Sequence, residues 1–181
     1  MTILGKAMRF GAVALMTGAA AGCTVTVPEG ITPVSDFEAE RYVGTWYEIA
    51  RLDFFFERGL DNVTATYELN ADGTVRVFNR GYDTTTCRLE AREGRAEFTG
   101  SPAFPMMAVS FFANFAGGYN VFILDDDYRY AVVAGSDRDN LWILSRTPQM
   151  NQRTLDRLVS EAADAGFDVS KLVYVDQTGP C

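Results

Sequence analysis

The chain has 181 residues, 48% of them hydrophobic and 22% charged, which supplies one domain with a sizeable core and is too short for two. Sixteen basic residues against twenty-four acidic ones give a net charge of -8, the wrong sign for a nucleic-acid partner. Histidine is absent, which removes the usual serine triad, the commonest neutral-pH base and most zinc or haem ligand sets, so neither a metal nor a cofactor is expected.

At the N-terminus, Lys6 and Arg9 precede an apolar run from Phe10 to Met16, and small residues lead through Ala20, Ala21 and Gly22 to Cys23. That order reads as a secretory signal over residues 1–22, with an apolar run too short for the roughly 20 residues of a membrane span. Cys23 after Ala21 and Gly22 resembles the bacterial lipobox, whose cysteine carries a diacylglycerol thioether, although Ala20 stands where that motif has leucine. The alternative is ordinary cleavage after Ala21, leaving no anchor. Cys23, Cys87 and Cys181 leave an odd thiol in an exported chain, and acylating Cys23 leaves an even pair. Residues 23–34, with Pro28, Gly30 and Pro33, are predicted as a tether, and residues 35–181 as the folded domain.

Eight β segments come next at spacings near ten: Thr45 to Asp53, Asn62 to Asn70, Thr74 to Asp83, Cys87 to Thr99, Met106 to Phe112, Tyr119 to Asp125, Arg129 to Gly135 and Asn140 to Arg146. Asn70-Ala71-Asp72-Gly73 predicts a hairpin turn. Ala65, Tyr67 and Leu69 alternate with Thr64, Thr66 and Glu68, giving one apolar and one wet face, the mark of an antiparallel sheet. Eight such strands predict an all-β, up-and-down barrel with room for one small ligand. A transmembrane barrel needs the opposite arrangement, apolar outside and polar within. Leu155, Leu158, Val159 and Ala162 predict one C-terminal helix packed outside, stopped by Gly166, and Lys171 to Val175 a short last strand.

Gly44-Thr45-Trp46 resembles the opening signature of the lipocalin family, and Arg146 stands where that family places an arginine across the tryptophan. Tyr130-Ala131-Val132-Val133 resembles the family's third motif, and the likeness, to its bacterial branch, covers nearly the whole domain. The resemblance implies a membrane-anchored binding protein that stores or transports fatty acids, such as palmitate, or lysophospholipids at the periplasmic face of an outer membrane. It also implies a disulfide between Cys87 and Cys181, the alternative being two free thiols.

With Trp46 pointing in, alternation sends Ala50, Ala65, Tyr67, Val77, Phe98, Met107, Val109, Phe111, Val121 and Trp142 to the interior. Of these, Tyr67, Val109, Phe111, Val121 and Trp142 are the expected ligand contacts. The loops after the first, third, fifth and seventh strands share the mouth, where Phe54, Phe55, Phe56, Phe112 and Phe115 gather. Those rings either form a rim that touches membrane lipid or a second copy in a homodimer, or fold into the mouth. No catalytic residue is assigned. Glu48, on the Trp46 face, is the one carboxylate expected inside, where it pairs with a cation, meets a ligand headgroup, or serves as the acid or base of a lipocalin-fold enzyme.

Overall fold

The computed structural model describes residues 25–112 and 115–179. Its antiparallel strands are β1 (Gly44–Leu52), β2 (Leu60–Leu69), β3 (Val75–Asp83), β4 (Leu89–Phe98), β5 (Met106–Phe112), β6 (Phe115–Leu124), β7 (Tyr130–Ala134), β8 (Leu141–Ser145) and β9 (Leu172–Tyr174). Each of the first eight pairs with its chain neighbour, β1 also pairs with β8, and so the barrel closes; β9 adds to β1 from outside. All nine predicted strands are present. β6 begins four residues earlier than the sequence suggests.

The wet face expected from β2 is an ionic surface. Arg76 bridges Glu68 at 2.9 Å and Glu93 at 2.8 Å, and Arg95 bridges Asp72 and Glu97 at 3.0 Å each. An exterior of this kind suits water and not hydrocarbon.

Strict alternation fails at one place in β1. Glu48 pairs with Leu144, but Ala50, not Ile49, pairs with Ile143, so a bulge inserts one residue and reverses the facing of the rest of the strand. Ala50 therefore packs outside with Ile49, Leu141 and Ile143, contrary to the interior position expected for it, and Arg51 turns in beside Trp142. One inserted residue exchanges a methyl for a guanidinium in the barrel wall.

A single helical turn, α1 (Ala39–Tyr42), precedes the barrel, and the C-terminal helix lies where its periodicity puts it, as α2 (Gln152–Asp164). Asn151 caps α2 by accepting from the Arg153 amide. Gly166, at φ 88, donates to Ala163 and Phe167 donates to Ala162, a Schellman stop. Phe167 then stacks on Phe122 at 5.7 Å, fixing the helix over β6 and β7. Leu155, Leu158 and Ala162 cover Val132, Ala134, Leu141 and Ile143 in a second core outside the barrel.

Two features were not legible in the sequence. The α1 turn closes one barrel end with Phe37, Tyr42 and Tyr128. The segment expected to be a tether is docked from residue 25 onward. The Thr26 hydroxyl donates to Ser136, the fully buried Asn120 amide donates to Thr26, Arg138 donates to Glu29, and the Val34 amide donates to Val121. Val27 and Ile31 anchor it on the outer core, which is why prolines and a glycine do not leave it loose.

Candidate ligand-binding site

At the closed end Trp46 is fully buried, its indole donating to the Tyr42 carbonyl at 2.8 Å. The Arg146 guanidinium lies 4.0 Å over the ring and donates to the carbonyls of Arg41, Tyr42, Thr45 and Tyr128. Gly44 makes this possible: its φ of 96 disfavours any side chain, and a Cβ there would stand 3.3 Å from Arg146 Nη1. Gly44, Trp46 and Arg146 thus occupy one constellation, as the family resemblance implied.

Above this plug three phenols make a floor. Tyr42 and Tyr119 hydroxyls are 2.7 Å apart, and Tyr119 donates to Tyr67 at 2.9 Å. Burial pushes all three well above the ordinary phenol range, so each stays a neutral hydroxyl able to donate and accept.

The cavity above the floor has about 660 Å³ of atom-free space, its open mouth included. It is a narrow slot. Tyr67, Val109, Phe111 and Trp142 line it together, with Ala65, Val77, Tyr119 and Leu144. Val121 does not join them. It is fully buried, but in the closed-end core beneath the tyrosine floor, so the side chain predicted as a ligand contact is packing. Alternation identifies inward residues and carries no information about depth.

One wall of the slot is polar. Arg51 donates to Glu48 at 2.6 Å and to the Glu57 carbonyl at 2.6 Å, while Trp142 donates to the Glu57 carboxylate at 2.9 Å. Arg51 pairs with the Glu48 carboxylate, the Glu57 carboxylate is held by Trp142 and feels both Arg51 and Arg92, and of two carboxyls buried this close one holds a proton into the neutral range. That one is Glu48, pushed up to about 8 by burial and then by the charge of Glu57. Burial also raises Glu57, against the pull of Trp142 and Arg51. Glu48 therefore already has a cationic partner, the first of its three expected roles. Sequence reasoning missed Arg51 and Glu57, because only the bulge turns Arg51 inward.

At the mouth Phe54 stands 5.6 Å from Trp142, and Phe56 stands 5.5 Å from Phe112. Both Phe54 and Phe56 line the slot, whereas Phe55 and Phe112 are 59% and 49% exposed. The rings thus divide between the two expected arrangements. Cys87, at φ 53, lies in the β3–β4 connection; Cys23, Cys181 and the signal segment lie outside the described residues, as do the side-chain contacts of Phe115. Among the described residues no group of three or more acidic or cysteine side chains could hold a metal ion.

An eight-stranded barrel closed by an arginine-capped tryptophan, with a mostly apolar slot open at the other end, defines a binding protein for small hydrophobic molecules. The chain belongs to the lipocalin-like family: the Lipocalin-like domain model matches residues 37–177. It is 52% identical over 154 residues to outer membrane lipoprotein Blc of Citrobacter freundii, covering 85% of this chain and 87% of that one. The Blc of Vibrio cholerae is 45% identical over 157 residues, covering 86% and 91%. In fold it resembles insecticyanin of the tobacco hornworm, with a TM-score of 0.64 at 20% identity over 83% of this chain and 86% of that one.

Proposed function

We propose that the chain is a lipid-anchored lipocalin of the outer membrane that stores or transports fatty acids or lysophospholipids. The observation that carries this reading is the slot, in which Tyr67, Val109, Phe111 and Trp142 converge above the tyrosine floor. A chain of about 16 methylenes would contribute roughly 12 kcal/mol at about 0.8 each, against an association cost of about 4 to 15 kcal/mol. The surplus is at most about 8 kcal/mol, so binding is no tighter than about micromolar, which permits release.

The names of the Blc relatives support the anchor, as does the lipobox-like approach to Cys23. An anchor there also orients the barrel. Thr26 is bonded to Ser136 in the β7–β8 connection, at the mouth end, and only Thr24 separates Cys23 from Val25, a reach of roughly 7 Å. Acyl chains on Cys23 bring the mouth, with exposed Phe55 and Phe112, to the headgroups, and a ligand then passes between bilayer and slot without crossing water.

Cys87 pairs with Cys181 in this reading. Asn62 binds the carbonyls of Asp176 and Gly179, and Gln177 donates to Glu48 and Val63 at 2.8 Å each, which runs the tail beside β2 to within two residues of Cys181.

Native mass spectrometry of protein extracted from its own membrane, with chemical identification of the bound lipid, tests the whole. A single-chain amphiphile in the barrel and a diacylglycerol on Cys23 are expected. An empty barrel that takes up no palmitate, or an unmodified Cys23, removes the corresponding half. Phe55→Ser is expected to slow lipid transfer from vesicles; an unchanged transfer rate with a monomer–dimer shift assigns the rim to a homodimer instead.

A further inference from the structure

Beside the slot, on its β3–β4 side, lies a recess lined by Phe56, Asn79, Arg80, Glu90 and Arg92, and Phe56 and Asn79 line both spaces. Asn79 and Arg92 are direct cross-strand partners, which sets their Cβ atoms about 4.5–5.5 Å apart on one face. That face is the inner one, shared with Val77 on β3 and Ala96 on β4.

Both side chains have unused capacity. The Asn79 Oδ1 is buried without a hydrogen-bond partner. The Arg92 guanidinium carbon stands 5.3 Å from the Phe56 ring centroid, and among the described residues no carboxylate lies within ion-pairing distance of it, in contrast to Arg51, Arg76 and Arg95. Of the carboxylates around it, Glu57 feels the charge of Arg92 without pairing with it and is engaged by Trp142, and Glu90 lies on the recess wall. Arg92 calls for an anion and the Asn79 amide oxygen, an acceptor, calls for a hydroxyl or N–H donor, so a headgroup that offers both completes the pair.

We propose that Asn79 and Arg92 form the polar end of the ligand site for a single-chain amphiphile whose hydrocarbon fills the slot: Arg92 binds the anionic group, carboxylate or phosphate, and the Asn79 amide oxygen accepts from a hydroxyl of a headgroup that carries one. The inference rests on the lipid-binding reading and fixes the ligand's direction. On the Glu48 wall of the slot, Arg51 is already taken by the Glu48 carboxylate and the Glu57 carboxylate lies beside it, so a further anion is disfavoured there and the methyl end runs down the apolar lining toward Tyr67 and Tyr119. Phe56 is the common wall of recess and slot.

The test uses the full chain carrying Cys23→Ser, so that no anchor competes for the bilayer, and intrinsic tryptophan fluorescence to follow palmitate, palmitoyl lysophosphatidylglycerol and uncharged monopalmitoylglycerol. Arg92→Gln is expected to weaken the two anions by about tenfold or more and to leave monopalmitoylglycerol unchanged, which also shows that the variant is folded. Arg92→Lys restores much of the phosphate binding, since a point charge suffices there. Asn79→Ala is expected to weaken the two glycerol-bearing ligands by a smaller factor and to leave palmitate unchanged. In Arg92→Gln, a loss confined to palmitate assigns the site to carboxylates, and one confined to the lysophospholipid assigns it to phosphates. An equal loss for all three ligands, or anion binding unchanged in Arg92→Gln, overturns the proposal. Failure of the unsubstituted barrel to bind any of the three removes the lipid-binding reading itself.

Discussion

The guanidinium of Arg146 lies 4.0 Å over the indole of Trp46, although one residue opens β1 and the other stands just past the end of β8. The contact locks the closure of the barrel, because it binds the last strand of the circle to the first. Arg146→Ala exposes that role: it removes the cation–π contact and leaves the carbonyls of Thr45, Tyr42, Arg41 and Tyr128 without their donor. A loss of about 2 to 4 kcal/mol in chemical denaturation is expected, with palmitate affinity little changed because the residue lies below the floor. Arg146→Lys should recover only part of the stability, since an ammonium cannot reproduce the planar fork.

Val109 and Val121 are both inward-facing valines, and the structure separates their roles. Val121→Ala opens a hole in the closed-end core and is expected to cost about 1 to 3 kcal/mol without altering ligand affinity. Val109→Trp fills the slot and is expected to abolish palmitate binding while the chain remains folded. Equal effects of the two substitutions on affinity would place the ligand deeper than the tyrosine floor.

Glu48 gives the chain a pH dependence of definite sign. Its ordinary value is 4.5 and the fold pushes it up to about 8. Between these limits the folded chain keeps a proton that the unfolded chain releases, so this group lowers stability as pH rises through the window and adds no further loss above it. Glu48→Gln keeps an oxygen for Arg51 and removes the titration. Against the parent, the variant is expected to gain about 2 to 4 kcal/mol between pH 4.5 and 8 in denaturation curves. Parallel curves would falsify the assignment.

Closing a loop of roughly 100 residues contributes up to about 4.7 kcal/mol on the chain-entropy model. Cys181→Ser and Cys87→Ser are each expected to lower the thermal midpoint by a similar amount, and a reductant should lower the parent to the same level. A reductant-insensitive midpoint would deny the pairing.

Strand alternation made the barrel legible, because one wet and one apolar face is a property of consecutive residues. The hairpin at Asp72-Gly73 and the helix stop at Gly166 could be read for the same reason, each being carried by residue types at fixed spacings, whereas the pairing of Trp46 with Arg146 came from the family resemblance. Tyr67, Val109, Phe111 and Trp142 came from facing alone.

The tertiary structure decided depth and register across strands. The bulge at Ile49 leaves no mark in composition, yet it sends Ala50 out and Arg51 in, and so builds the buried cluster with Glu48 and Glu57. Three tyrosines from α1, β2 and β6 set the height of the floor and put Val121 below it. The register of β3 against β4 places Asn79 opposite Arg92. Local sequence determines which way a side chain faces; only the closed barrel determines what it meets there, since those partners come from strands far apart in the chain.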